Sequence, residues 1–269
     1  MNNFIVIPNK KEEINILLDK NIKGLIIGVK DLSVYPFELA IEDIISISNN
    51  TDKEIIIAMN KMIHNKDLDL VRSILDKVKN SNIKKILFYD LGIFNICKNM
   101  NIDKELILSQ EHLNASINSN NFYYNKGINN VMITSDITKD EILDISSNTK
   151  MNIYYTVYGY LPIFYSRRYL LTNYFKYINK DMNDNTYYIF NNDLKYMIKE
   201  YNYGTIIYSP LVNLINKIDK IKEIDNLVID LSYTEDIDII DKLINKENIN
   251  NTYTGFFDKK TIYKLKDEK

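Results

Sequence analysis

Only two imidazoles occur in the 269 residues, His64 in KMIHNKD and His112 in SQEHLN. His112 directly follows Glu111, and a neighbouring carboxylate raises an imidazole's proton affinity, as a general acid or base requires. A hydrogen-bonded loop histidine is the plainer reading of His112, and a solvated loop residue that of His64. Asp90, closing KILFYD, and Asp136, in ITSDIT, are further carboxylates able to carry a proton. Each also stands where a structural role is expected: Asp90 as the N-cap of a helix starting at Leu91, Asp136 shaping the turn before Thr138.

Arginine is the second signal. Of 34 basic residues only Arg72, Arg167 and Arg168 are arginines, so a chain that otherwise relies on lysine places two guanidiniums side by side. They lie in Tyr154–Phe175, YYTVYGYLPIFYSRRYLLTNYF. A guanidinium offers a planar bidentate fork and stacks on aromatic rings, which an ammonium does not. Tyr158, Tyr165 and Tyr169 therefore read either as a packed aromatic face or as a stacking platform beside Arg167 and Arg168. Such a platform suits a base, an anionic small molecule or a partner protein.

Other chemistries lack support. One cysteine, Cys97, excludes an internal disulfide and any all-cysteine metal site within the chain, and IFNICKNM reads as the apolar side of a helix. There is no H-E-x-x-H, C-x-x-C, G-x-S-x-G, P-loop or G-x-G-x-x-G run, which leaves only carboxylate metal sites. A formal charge of −2 gives no global basic field, so nucleic-acid binding needs a local patch or a basic partner. No stretch approaches a transmembrane span and no signal peptide is legible, so the cytoplasm is the expected compartment.

Apolar runs recur with a regular beat: Phe4–Pro8, Gly24–Val29, Glu54–Asn60, Lys85–Asp90, Glu105–Ser109, Asn130–Ser135, Met151–Val157 and Asn226–Leu231. Helical patterns separate them, Thr138 with Glu141 forming a capping box before one, and almost no two-residue hairpin signal appears. This predicts parallel strands covered by helices, a TIM-barrel-like (β/α)8 fold in a single domain over 1–269. The beat fails once, between strands seven and eight, where an insertion at about 159–225 holds the arginine pair. The tail, about 252–266, alternates like a strand. In a barrel, residues just past each strand's C-terminal end share one face; Asn60, His64, Asp90, Glu111, His112, Asp136, Tyr158 and Asp230 all fall there.

TVYGYLPIFYSRRYLLTNY resembles the signature region of the peptidase U family thirty-two (collagenase-like), whose pattern is close to VHGALCxxYSGRCLLSNY. GLIIGVKDLSV, MNKMIHNKDLD, FYDLGI and VMITSDITKDEI resemble other family segments in the same order. The resemblance implies a TIM-barrel-like domain. It also implies kinship with peptidases and with hydroxylation factors acting on tRNA wobble uridine or on ubiquinone precursors, several of which hold an iron–sulphur cluster on cysteines. Arg168 matches the family's own arginine, Arg167 replaces a glycine, and Asn173 stands in the closing LLTNY. Where the pattern has its first two cysteines this chain has Pro162 and Tyr169, so it binds no cluster alone. By analogy it is the clusterless subunit of a pair, beside a longer cysteine-bearing homologue, in prephenate-dependent wobble-uridine 5-hydroxylation. The alternatives are a collagenase-like peptidase using His112 with Glu111 or a carboxylate-held metal, and a binding-only barrel.

Overall fold

The computed structural model describes residues 3–110, 113–234, 236–250 and 252–260. Eight parallel strands close on themselves: β1 (Phe4–Ile7), β2 (Gly24–Val29), β4 (Glu54–Met59), β5 (Lys85–Phe88), β6 (Glu105–Leu108), β7 (Asn130–Met132), β8 (Asn152–Gly159) and β14 (Asn226–Asp230). Closure comes from β1, which pairs with β14 on one side and β2 on the other. All eight coincide with the apolar runs read from the sequence. A two-residue strand, β3 (Glu38–Leu39), adds to β2.

Parallel strands are buried on both faces, which is why the runs show little alternation. Ile5, Ile7, Ile26, Ile56, Ala58, Leu87, Ile107, Tyr154 and Val228 fill the interior. Their neighbours face outward, against α1 (Glu13–Leu18), α2 (Ile41–Asn49), α3 (Leu68–Lys79), α4 (Leu91–Asn99), α5 (Ile117–Tyr124), α6 (Lys139–Asn148) and α8 (Ile239–Ile244). The Thr138–Glu141 capping box is present: Thr138 Oγ1 accepts from Glu141 N, and Thr138 N donates to Glu141 Oε2 at 2.8 Å.

Between β8 and β14 the chain builds a second sheet, antiparallel, in the order β10 (Thr186–Asn191), β11 (Leu194–Tyr201), β12 (Gly204–Tyr208), β9 (Pro162–Ser166). Pro162 begins β9. That strand is the sheet's edge, where a residue without an N–H loses no ladder bond. The sheet also contains two hairpins with two-residue turns, Asn192–Asp193 and Asn202–Tyr203, against the expectation of almost none. Neither turn carries glycine at its centre, so the usual sequence signal is missing. A helix, α7 (Leu170–Tyr177), covers one face of the sheet. Short β13 (Val212–Asn213) runs antiparallel to β8. In the tail, residues 252–260 make one bridge, Val212 to Tyr253, followed by turns; the later part of the expected strand lies outside the described residues.

Candidate functional site

The C-terminal ends of the barrel strands open into a small cavity of about 100 Å³, lined in part by Asn60, Tyr89, Ser109, Asp136, Thr156 and Asp230. Asn60 Oδ1 accepts from Ser33 Oγ at 2.9 Å and from Val34 N at 3.1 Å, which fixes the amide at the mouth. Asp136 is exposed at the rim, its backbone N–H donating to Thr134 Oγ1 at 3.1 Å. Asp230 differs from both. It is buried at the end of β14, and burial pushes its carboxyl up to about 6, although Ser232 N donates to Oδ1 at 2.8 Å. A carboxyl poised near neutrality at the catalytic face of a barrel is suited to proton transfer.

Gly159 makes that burial possible. Its φ is +140°, and a Cβ there would lie 2.8 Å from Asp230 Cβ, so only glycine lets β8 end so close to β14. Above Asp230 the hydroxyls of Tyr201 and Tyr208 lie 2.7 Å apart, and Tyr233 bonds to both. Tyr201 and Tyr208 belong to the inserted sheet and Tyr233 to the loop after β14, so the three phenols fasten the sheet over the barrel. Burial raises all three phenol pKa values; Tyr233 adds to the rise at Tyr201 and Tyr208, Asp230 adds to it at Tyr201 and Tyr233, and the hydrogen bonds from Tyr201 and Tyr208 partly offset it at Tyr233.

Beside the mouth lies a larger cleft of about 480 Å³, between the loop after β4 and the β9 and β11–β12 end of the inserted sheet. Lys61, His64 and Lys66 line it from the barrel, and Tyr165, Arg167, Tyr169 and Tyr203 from the sheet. The two cavities adjoin, since Asn60 precedes Lys61 and Tyr203 Oη donates to Val34 O at 3.3 Å. Local bonds hold the wall. Tyr203 stacks on Tyr201 with ring centroids 4.9 Å apart and planes at 7°, and Tyr169 Oη donates to Asn202 O at 2.8 Å. Gly204, at φ +143°, brings β12 against Ser166 and Arg167; a Cβ there would sit 2.2 Å from Ser166 O. Thr205 Oγ1 donates to Arg168 O at 2.8 Å and secures the same corner.

Of the residues singled out in the sequence, His64, Tyr165, Arg167 and Tyr169 therefore meet in one cleft, while Asn60 and Asp136 meet at the barrel mouth. Arg168 and Asn173 are exposed and line neither cavity. Tyr158 is buried, its hydroxyl turned to Thr234 and Asp236. Asp90 has the helix-capping role: Oδ1 accepts from Gly92 N at 2.7 Å and Oδ2 from Ile63 N at 3.4 Å. Glu111 and His112 lie outside the described residues. The sequence reading placed Asp230 in the barrel-end set without naming it as a site residue. Lys61, Lys66 and Tyr203 carried no local signal at all, because only the topology brings them together.

The cluster implied by the family resemblance does not fit these residues. Thiolates hold such clusters, and the positions in question carry Pro162 and Tyr169. Cys97 is buried in the outer core on α4, and burial pushes its thiol up to about 12. Among the described residues, no group of three or more His, Cys, Asp or Glu side chains is placed to hold a metal ion.

The eight parallel strands ringed by helices, with a polar mouth and an adjoining basic, aromatic cleft, define a barrel of the TIM type. Residues 10–230 match Peptidase family U32, and the chain belongs to that family. A relative in Bacillus subtilis (strain 168), "tRNA hydroxylation protein P2", is 23% identical over 304 residues, covering 97% of this chain and 98% of its own. Among solved structures, a putative phosphonomutase from Burkholderia cenocepacia is similar at a TM-score of 0.42 and 6% identity, over 58% of this chain and 78% of its own. A chitinase from Chromobacterium violaceum is similar at 0.45 and 8%, over 91% and 99%. Neither likeness bears on function. No helix among the described residues is long and apolar enough to cross a membrane.

Proposed function

We propose that this chain is the clusterless subunit of a U32 pair that 5-hydroxylates tRNA wobble uridine, supporting a longer, cysteine-bearing homologue that holds the iron–sulphur cluster. The observation that carries the reading is the end-to-end match to a relative named for tRNA hydroxylation. Three features are consistent with it: Pro162 and Tyr169 at the ligand positions, the single buried thiol, and a polar barrel mouth with Asp230 at its floor. In this role the chain binds and orients RNA or co-substrate, and its partner performs the oxidation in the cytoplasm. A peptidase acting alone would depend on His112 with Glu111 or on a carboxylate-held metal, and no described metal-binding group supports the second route.

Deleting the gene and measuring 5-hydroxyuridine in bulk tRNA by mass spectrometry tests the proposal. Loss of the modification, restored by a plasmid copy, is expected. An unchanged level in a strain whose cysteine-bearing homologue is intact would overturn it. Purified protein supplied with metal is expected to leave gelatin and casein uncut.

A further inference from the structure

We infer that the cleft between the loop after β4 and the inserted sheet is a single-stranded RNA site, with Arg167, Lys61 and Lys66 on phosphates and Tyr169 and Tyr203 stacked against bases. The inference rests on the proposed role in tRNA modification and gives it a location.

Charge is the first argument. Asp67 is the one carboxylate that lines the cleft with Lys61, Lys66 and Arg167, and it already accepts from His64 N at 3.0 Å; Glu38 also lies within electrostatic reach of Lys61. Among the described residues the Arg167 and Lys66 side chains make no hydrogen bond or ion pair, so both cations remain available to an anion. Lys61 Nζ bonds only to Asp31 O, at 3.1 Å, and lies 5.8 Å over the Tyr203 ring. On a protein with a formal charge of −2 this is the local patch that an RNA backbone requires.

Ring presentation is the second argument. Tyr169 is 47% exposed, yet its hydroxyl is tied to Asn202 O, so the ring is held out at the cleft wall. Tyr203 is braced from behind by the stacked Tyr201 ring and bonded to Val34 O. Tyr165 stands 6.5 Å from Tyr203, centroid to centroid. Rings fixed in orientation beside free cations are how proteins bind unstacked bases with little sequence preference. An acidic peptide would use the cations but has no need of oriented rings. The cleft also opens beside Asn60 at the barrel mouth, so a strand seated there could deliver one nucleotide towards Asp230.

The test uses the full chain and a fluorescein-labelled ten-nucleotide oligouridylate, followed by anisotropy at several salt concentrations. Wild type is expected to bind, with log affinity falling linearly against log salt. The double variant Lys66→Glu/Arg167→Glu is expected to lose at least about tenfold at low salt, with a slope shallower by roughly 1.4 for the two lost phosphate contacts. Tyr169→Ala is expected to lose roughly fivefold to a hundredfold with the slope unchanged, and Tyr169→Phe to recover most of it. All three positions are exposed, and unchanged thermal melts confirm that each variant folds. Absence of wild-type binding, an unaffected double variant, or displacement of the RNA by equimolar polyglutamate overturns the site. The two proposals fail separately. If gene deletion leaves 5-hydroxyuridine unchanged but RNA binding depends on these residues, the role falls and the site stands. If the modification is lost but charge reversal leaves binding intact, the site falls and the role stands.

Discussion

Asp230 carries its negative charge under protest. Its carboxyl is raised by burial from 3.8 to about 6, so over that interval the native state holds a proton that the unfolded chain has released. Stability therefore falls as pH rises through the window, by on the order of 3 kcal/mol, and is level above it. Asp230→Asn removes the titration and keeps an acceptor for Ser232 N. The variant is expected to gain on the wild type between pH 4 and pH 7, read from urea denaturation at each end. An equal difference at both pH values would show that Asp230 is not buried as described. Tyr201, Tyr208 and Tyr233 had no local motif, because their hydroxyls meet only after the inserted sheet folds back over the barrel.

The inserted sheet shows what the sequence could and could not reveal about elements. Barrel strands were legible because a strand buried on both faces reads as an unbroken apolar run, as in EIIIAM or NLVID. The insertion was legible as a missed beat holding two strand-like runs, YYIF and GTIIYS, which fall in β10 and β12, but not as a four-stranded sheet. Of its strands β9, β10 and β11 are partly exposed, their turns lack a central glycine, and its helix starts without a local cap. The cap for α7 comes from Glu200 on β11, 28 and 29 residues away, which accepts from Thr172 N at 3.2 Å and Leu171 N at 2.9 Å. Glu200 also bonds the Thr172 hydroxyl and is buried. Glu200→Ala therefore strands the buried Leu171 N–H and loses the part-buried Thr172 N–H bond, and is expected to cost about 1–3 kcal/mol in urea denaturation. The expected loss of helical dichroism is small, since α7 has eight residues. Gly204→Ala belongs to the same scale. With φ at +143° and backbone 2.2 Å from the added methyl, it is expected to push β12 from β9 and weaken oligouridylate binding through a displaced Arg167. A variant with unchanged melting temperature and affinity would mean that Gly204 does not set this corner.

At the scale of the whole molecule, the two ends of the barrel do different work. The mouth holds Asp230 and the cleft, while the opposite end is sealed by an ion network: Lys85 Nζ lies 2.9 Å from Glu54 Oε1, 3.2 Å from Glu105 Oε2 and 3.1 Å from Tyr154 Oη. Burial alone would pull the Lys85 ammonium down, but Tyr154 and Glu54 more than reverse it and hold it well above the usual lysine range. Tyr154 is pushed up to about 12, mainly by burial and then by Glu54. Both groups thus keep their protons in the native state at pH values where the unfolded chain gives them up. Tyr158 is likewise pushed up to about 12 by burial, and Tyr155, Tyr201, Tyr208 and Tyr233 are raised as well. Every one of these shifts has the same sign, so stability is insensitive to them below pH 10 and falls steeply above it. Spectrophotometric titration of the 21 tyrosines is therefore expected to proceed in two stages. Solvent-exposed phenols ionise near pH 10, and the buried set follows in one cooperative step that coincides with loss of far-ultraviolet dichroism. Lys85→Met, which leaves Glu54 with only the longer 3.8 Å contact to Lys23 and leaves the half-exposed Glu105 to solvent, is expected to destabilise the fold by about 1–3 kcal/mol and move that step to lower pH, while oligouridylate binding at neutral pH is unchanged. A single smooth titration of all the tyrosines near pH 10, with the fold intact throughout, would contradict the burial of this set and with it the fastening of the inserted sheet to the barrel.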